Sequence, residues 1–513
     1  MLIELINNLS LGFSVSLTPA NLLFCLIGVA IGTAIGVLPG LGPTATLSLL
    51  LPITFQMTPV SAIIMLSGIY YGAMYGGSIT SILIRIPGEA ASVVTCIDGH
   101  EMAKRGRAGP ALGMSAFASF IAGIVSTIGI AVAAPALSSV AYLIGPVEQT
   151  ALVTLGLVMV AMISDGSLLR AITSAIVGLL ISTVGTDMMN ASERFTFGIT
   201  SLTDGIDIAS MAMGLFGISE LFLMAEKRAS QVNLVNGPSR LRELLPTKQD
   251  WQRSSKPIAR GTGIGFFLGL LPGAGLIIAP FASYVIERKF SKHREEFGSG
   301  AIEGVSGPEA ANNAAAQAGF IPLFSLGIPA NAVMAVMLGA MMIKGMAPGP
   351  QLAAQHPNLF WGTITSMFIG NVMLVILNVP LLRLFVGLLK IPRYTLSPLI
   401  IVFCFIGAYS LSNNIADVVL MVFFGVLGYL MRKADYDPSP FLIGFVLGSI
   451  FESSLRQSLL IGIGSPLIFF KSPIAATILI ITTCIICWAG WQRFNKTYLR
   501  SKNDLDRLIK NDR

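Results

Sequence analysis

Two segments of this chain carry the residue types that bind small anions and hard cations. The first runs Ser78-Ile-Thr80-Ser81-Ile-Leu-Ile-Arg85-Ile-Pro87-Gly88-Glu89, with Ser92 and Thr95 following. The second is Glu303 and the run GVSGPEAANNAAAQAG, which holds Ser306, Pro308, Glu309, Asn312, Asn313 and Gln317; Ser325 and Ile328-Pro329-Ala330-Asn331 come next. Hydroxyls, amides and carboxylates offer oxygen ligands and N–H donors, the chemistry of reversible binding. The substrate-binding candidates are therefore Ser78, Thr80, Ser81, Arg85, Gly88, Glu89, Asn312, Asn313 and Asn331. Arg85 is a lone cation in an apolar string, and such charges are costly in a membrane. It either holds an anion or pairs with Glu89. Glu309 is a sodium candidate, or else a loop carboxylate that caps the next helix; the polar run around it reads equally as a loop or a small-residue packing face.

The surroundings of these segments are strongly apolar. Of 513 residues, 54% are hydrophobic and 12% charged; a soluble chain carries roughly twice that charged fraction. Lipid is the expected solvent, and the fold class an all-α polytopic integral membrane protein. Apolar stretches near 17–54, 61–84, 110–135, 150–163, 168–185, 205–225, 258–286, 310–343, 358–390, 396–430, 439–470 and 473–492 predict roughly 11 to 14 membrane segments, several broken by Pro-Gly. No basic region precedes the first apolar stretch, so that stretch is expected to stay in the fold.

The net charge of +7 comes from short basic clusters. That placement reads as orientation signal, with no nucleic-acid partner. The linker 226–257 and the tail 493–513 are the basic stretches and are expected to be cytoplasmic. No Lys or Arg precedes Arg85, which predicts a periplasmic N-terminus.

The linker separates two halves, 1–225 and 258–492, that share punctuation. Gly36-Val-Leu-Pro39-Gly40-Leu-Gly42 matches Gly269-Leu-Leu-Pro272-Gly273-Ala-Gly275, and Ile86-Pro87-Gly88-Glu89-Ala90 matches Ile328-Pro329-Ala330-Asn331-Ala332. Two motifs in the same order indicate an internal repeat. After the first motif, residues 55–60 are uncharged, whereas their counterpart carries Arg288, Lys289, Lys292 and Arg294. After the second, Lys104, Arg105 and Arg107 face only Lys344. Corresponding loops thus fall on opposite membrane sides, the pattern of inverted-topology repeats. Residues 258–286 are too few for two crossings, so a hairpin with its tip near Pro272-Gly273 is expected, with a mirror near Pro39-Gly40. Unwound backbone is expected at Pro39, Gly40, Pro87, Pro272, Gly273, Pro308 and Pro329, where half-helix N-termini suit carboxylates and free carbonyls suit sodium, including at Gly40 and Gly273.

Other chemistry finds little support. Cys484 and Cys487 stand two apart in an apolar helix without a His partner, so they read as small apolar residues. His100, His293 and His356 fall in or beside predicted loops and read as surface residues. The chain has no G-x-x-x-x-G-K-[ST], HExxH or GxSxG. An ATP-driven system would need a separate ATPase, and no enzyme activity or cofactor is expected.

The block GIYYGAMYGGSITSILIRIPGEAASVVTCIDGHEMAKRGRAGPALG resembles TctA, the large subunit of tripartite tricarboxylate transporters. The block LPGAGLIIAPFASYVIERKFSKHREEFGSGAIEGVSGPEAANNAAAQAGFIPLFSLGIPANAVMAVMLGA is similar to the family's other signature. The resemblance implies a secondary transporter that imports citrate or another carboxylate. It also implies a small four-helix membrane subunit and a periplasmic solute-binding protein as partners, with a sodium or proton gradient as driving force. The chain departs from the family pattern at Arg85, where a neutral residue such as asparagine is usual, and at Ala330, in place of a glycine. The carboxylate class therefore carries over better than citrate itself.

Overall fold

Proline and glycine set most helix boundaries in the computed structural model. It describes residues 2–38, 42–141, 144–163, 168–187, 190–226, 241–271, 275–349, 351–388, 398, 401–402, 404–409 and 413–487. The hairpin tips at Pro39, Gly40, Pro272 and Gly273, residues 227–240 of the basic linker and the whole tail 493–513 lie outside the described residues.

The first half begins with α1 (Leu2–Ser16), α2 (Pro19–Val37) and α3 (Pro43–Leu50), and a 3-10 turn then leads into α4 (Pro59–Ile84). Pro19, Pro43 and Pro59 each start a helix, where the missing N–H costs nothing. After α5 (Thr95–Met102) come α6 (Ala108–Ala141), α7 (Pro146–Ile163) and α8 (Leu168–Ile181). A two-residue ribbon pairs Gly185 with Arg194 and Thr186 with Glu193. The half closes with α9 (Ile208–Ala212) and α10 (Ser219–Glu226).

The second half opens with α11 (Leu241–Leu244), α12 (Lys248–Gly269) and α13 (Gly275–Phe290). Next come α14 (Glu303–Ala318), α15 (Phe320–Leu326), α16 (Ala332–Ile343), α17 (Leu352–Gln355), α18 (Pro357–Asn378) and α19 (Leu382–Leu388). Helices Ile415–Lys433 and Pro438–Ile461 follow. Among the described residues, seven helices are long and apolar enough to cross a membrane, and four shorter apolar helices join them. Val125, Ile128 and Val132 on α6, and Val419, Phe423 and Leu430 further on, point outward as a lipid-facing surface would.

Glycine stripes fix how each half is packed. Along α2, Gly28, Gly32 and Gly36 press on the backbone of Met65, Ile69 and Ala73, so α2 and α4 run parallel in close contact. Along α12, Gly261, Gly265 and Gly269 press in the same way on Gly307, Ala311 and Ala315 of α14. A methyl group at any of these glycines would collide with a backbone carbonyl. Between each parallel pair the chain runs back. Arg260 of α12 reaches Glu287 of α13 and Gly275 packs on Leu268, so these two helices form the antiparallel hairpin expected of residues 258–286.

Both central helices stop in the same way. Arg85 (φ 57°) ends α4 and Gly327 (φ 69°) ends α15, each in the left-handed region. An Ile-Pro pair follows, and proline bars further helix. The two central helices also run antiparallel to each other: Tyr70 stacks near Phe320 while Ser78 bonds Glu309. Every residue of α4 from Ser61 to Ile84 is buried, as is every residue of α14.

Three expectations are corrected here. Pro308 sits inside the continuous helix α14, with no unwound backbone around it. Glu309 is accordingly a mid-helix residue and caps nothing; the polar run is a helix enclosed on all sides, so its hydroxyls and amides meet protein instead of water. His100 is buried, with its Nδ1 2.9 Å from the carbonyl of Ile82.

Candidate binding site between the central helices

The two segments singled out by their residue types meet where α4 and α14 cross. Glu309 is fully buried and is surrounded by hydroxyl groups from three other helices. Ser78 of α4 donates to it at 2.6 Å, Ser119 of α6 at 3.4 Å, and Thr95 of α5 also donates. Asn313 donates to Ser119 at 2.6 Å and to the carbonyl of Glu309 at 3.1 Å. One turn deeper, Thr127 of α6 bonds Gln317.

Glu89 forms the second centre. It caps the turn Ala90–Val93, accepting from the N–H of Ala91 at 2.7 Å, while Asn312 of α14 donates to it at 3.0 Å. Asn331 caps α16 in the same manner, accepting from the N–H of Met334, and donates to Tyr70 of α4 at 2.9 Å. Each half therefore presents a polar cap residue to the central helix of the other half.

The remaining candidates divide clearly. Thr80 and Ser81 are buried but bond within their own segment: Thr80 to the carbonyl of Gly77, Ser81 to Gly77 and to Ser92. Gly88 lies against Gly36 and Gly77, a contact that leaves no room for a side chain. Ala330 meets Gly319 in the corresponding place. Pro87 and Pro329 stand in the non-helical stretches, as expected. Arg85 is 60% exposed and lies 4.0 Å from Glu101, so it pairs away from Glu89. Glu89 and Glu309 thus have no basic side chain in ion-pair contact among the described residues.

A cavity of about 650 Å³ opens beside Glu89. Gly42, Thr44 and Ala45 at the start of α3 line it, together with Gly88, Ala90, Arg432, Pro438, Ser439 and the acids Glu89, Glu220, Asp435 and Asp437. The N-termini of α3 and of the helix Pro438–Ile461 border this space together with the turn Ala90–Val93, and uncapped N–H groups at a helix N-terminus favour anions. Two are capped by acids, Glu89 and Asp437; α3, whose cap is Gly42, has no side-chain cap. Arg432 is neutralised by Glu220.

Sequence reading missed Tyr70, Ser119, Thr44 and Asp98. Ser115 and Ser119 stand four apart in an otherwise apolar helix, a polar stripe that signals an inward face. Asp98 had no such signal. It accepts from the N–H groups of Gly298, Gly300 and Ala301 and from Tyr284, tying α5 to the loop before α14.

Comparison with known proteins adds a family to this geometry. The model of the "Tripartite tricarboxylate transporter TctA family" matches residues 22–443. An "uncharacterized 52.8 kDa protein in TAR-I ttuC' 3'region" of Agrobacterium vitis is 50% identical over 94% of this chain and 96% of its own length. An "uncharacterized protein in TAR-II ttuC' 3'region" of the same organism is 51% identical over 42% of this chain and 89% of its own. No solved structure matches the chain.

Proposed function

The chain belongs to the tripartite tricarboxylate transporter TctA family, and on that premise we propose that it is a permease for a small carboxylate, working by cation-coupled alternating access. The carboxylate would be delivered by a periplasmic binding protein, with a small four-helix subunit as membrane partner. The observation that carries this reading is the uncapped N-terminus of α3, which opens with Thr44 into a cavity of about 650 Å³ beside Gly88 and Glu89. A carboxylate there meets backbone N–H groups and a hydroxyl.

The acids explain why cations must accompany it. Glu89 and Glu309 are buried without basic partners, so a further negative charge is admissible only if protons or metal cations neutralise the site. The antiparallel central helices, each with its own hairpin and interrupted by the same Ile-Pro break, support an inverted repeat, whose two halves can exchange inward and outward access. The cavity shares the face of Arg432, Lys433 and Glu226, from which the basic linker departs, and we read that face as cytoplasmic. The N-terminus is then periplasmic and the tail cytoplasmic.

Uptake of labelled carboxylates into proteoliposomes carrying this chain and its partner subunits tests the proposal. Accumulation should follow an imposed sodium or proton gradient, and Thr44→Val should raise the KM. Accumulation that ignores both gradients and needs ATP would replace this mechanism with one driven by a separate ATPase.

A further inference from the structure

Among the described residues, the hydrogen-bond donors to the Glu309 carboxylate are all hydroxyl groups. Ser78, Thr95 and Ser119 supply hydroxyl groups from α4, α5 and α6, and the carboxylate comes from α14. Hydroxyl oxygens differ from N–H donors in one respect: by rotating, they turn a lone pair toward the centre and become ligands. A carboxylate surrounded by three such groups can therefore be solvated by donors in one state and share a hard cation with them in another.

One further observation points to a missing positive partner. Asn313, whose amide nitrogen bonds both Ser119 and the Glu309 carbonyl, has a buried Oδ1 with no hydrogen-bond partner among the described residues.

We propose that Glu309, Ser78, Thr95, Ser119 and Asn313 bind a dehydrated sodium ion. The proposal rests on the cation-coupled reading above and assigns its cation. Four elements from the two halves meet at this point, so the ion acts as a bond between them. Loading it would couple their relative movement to the sodium gradient. Sodium is favoured over a proton because a proton occupies one oxygen of Glu309 and leaves the Asn313 oxygen without a partner.

Thermal unfolding of the purified full-length chain in detergent, without substrate or gradient, tests this. In choline chloride at constant ionic strength, replacing choline by sodium should raise Tm with saturation, while potassium should not. Glu309→Gln should remove the sodium response. Thr95→Val should raise the half-saturating sodium concentration by about tenfold, the loss expected for one ligand, and Thr95→Ser should restore it. The Thr95 pair carries the test if Glu309→Gln fails to fold. Equal stabilisation by potassium, no stabilisation of the wild type, or a sodium response retained in Glu309→Gln would each overturn the proposal. Stabilisation by acid alone, lost in Glu309→Gln, would also overturn it and make Glu309 a proton site. Because no transport is measured, failure here is distinct from failure of the uptake experiment.

Discussion

Asn312 of α14 donates a hydrogen bond of 3.0 Å to Glu89, the cap residue of the broken segment in the other half. The mirror contact is Asn331 to Tyr70 at 2.9 Å. Asn331 stands 242 positions after Glu89, and Asn312 stands 242 positions after Tyr70. The left-handed residues Arg85 and Gly327 are separated by the same interval. One polar bond therefore recurs at the two ends of the crossing between the central helices, with an acid in one copy and an amide in the other.

Removing the Asn312 amide leaves the Glu89 carboxylate with one donor fewer inside the protein. Asn312→Ala is expected to abolish uptake while expression stays normal. Tyr70→Phe, which removes only the acceptor of Asn331, should slow uptake by about tenfold, the scale of one buried hydrogen bond. Initial uptake rates, normalised to protein in the membrane, decide both. Unchanged rates in Asn312→Ala would take that residue out of the site.

The glycine stripes predict matched effects in the two halves. Gly32→Ala and Gly265→Ala each push a methyl group into a backbone carbonyl, of Ile69 and Ala311 respectively. Each should lower stability by about 1–3 kcal/mol. Gly263 faces open space, so Gly263→Ala on the same helix is the control and should be neutral. Unfolding of the purified variants in detergent separates the three.

The hairpin of α12 and α13 places Ser255 and Lys292 at the same end. Arg253 bonds Glu296 at 2.6 Å across that end. Single cysteines at 255 and 292 should therefore react with an impermeant thiol reagent from one side of the membrane only, and from the same side. Labelling from opposite sides would remove the hairpin.

Acid should weaken the junction between linker and first half. Burial works against the charge of Asp250, but hydrogen bonds from Thr247 and the Arg107 guanidinium at 2.5 Å hold its carboxyl below the usual value of 3.8. A depressed carboxyl stabilises the fold fully above that value, and the contribution fades as pH falls through the folded one. Asp250→Asn should cost about 1 kcal/mol near neutral pH and progressively less below pH 4. Unfolding curves of both proteins across that range check the sign.

Composition alone determined that this chain lives in lipid, because so few charges cannot cover a soluble surface of 513 residues. Proline and glycine determined where helices break, since a missing N–H and a left-handed turn act locally. The order of the two motif pairs also carried the expectation of a repeat, and the residue types in SITSILIRIPGE and GVSGPEAANNAAAQAG marked both sides of the candidate site. Only the tertiary structure decided which side chains share it. Arg85 reads as an intramembrane cation, yet a left-handed turn at its own position swings it outward toward Glu101. Pro308 reads as a break, yet α14, closely packed against α12 and α13, continues through it. Thr95 and Ser119 meet Glu309 across about two hundred positions of sequence, and Lys344 reaches the carbonyls of Phe55 and Met57 from the far half. Local rules fix where a helix starts and stops. Which faces turn inward depends on neighbours distant in the chain, and in a lipid-embedded protein apolar periodicity does not separate the face that meets lipid from the face that meets another helix.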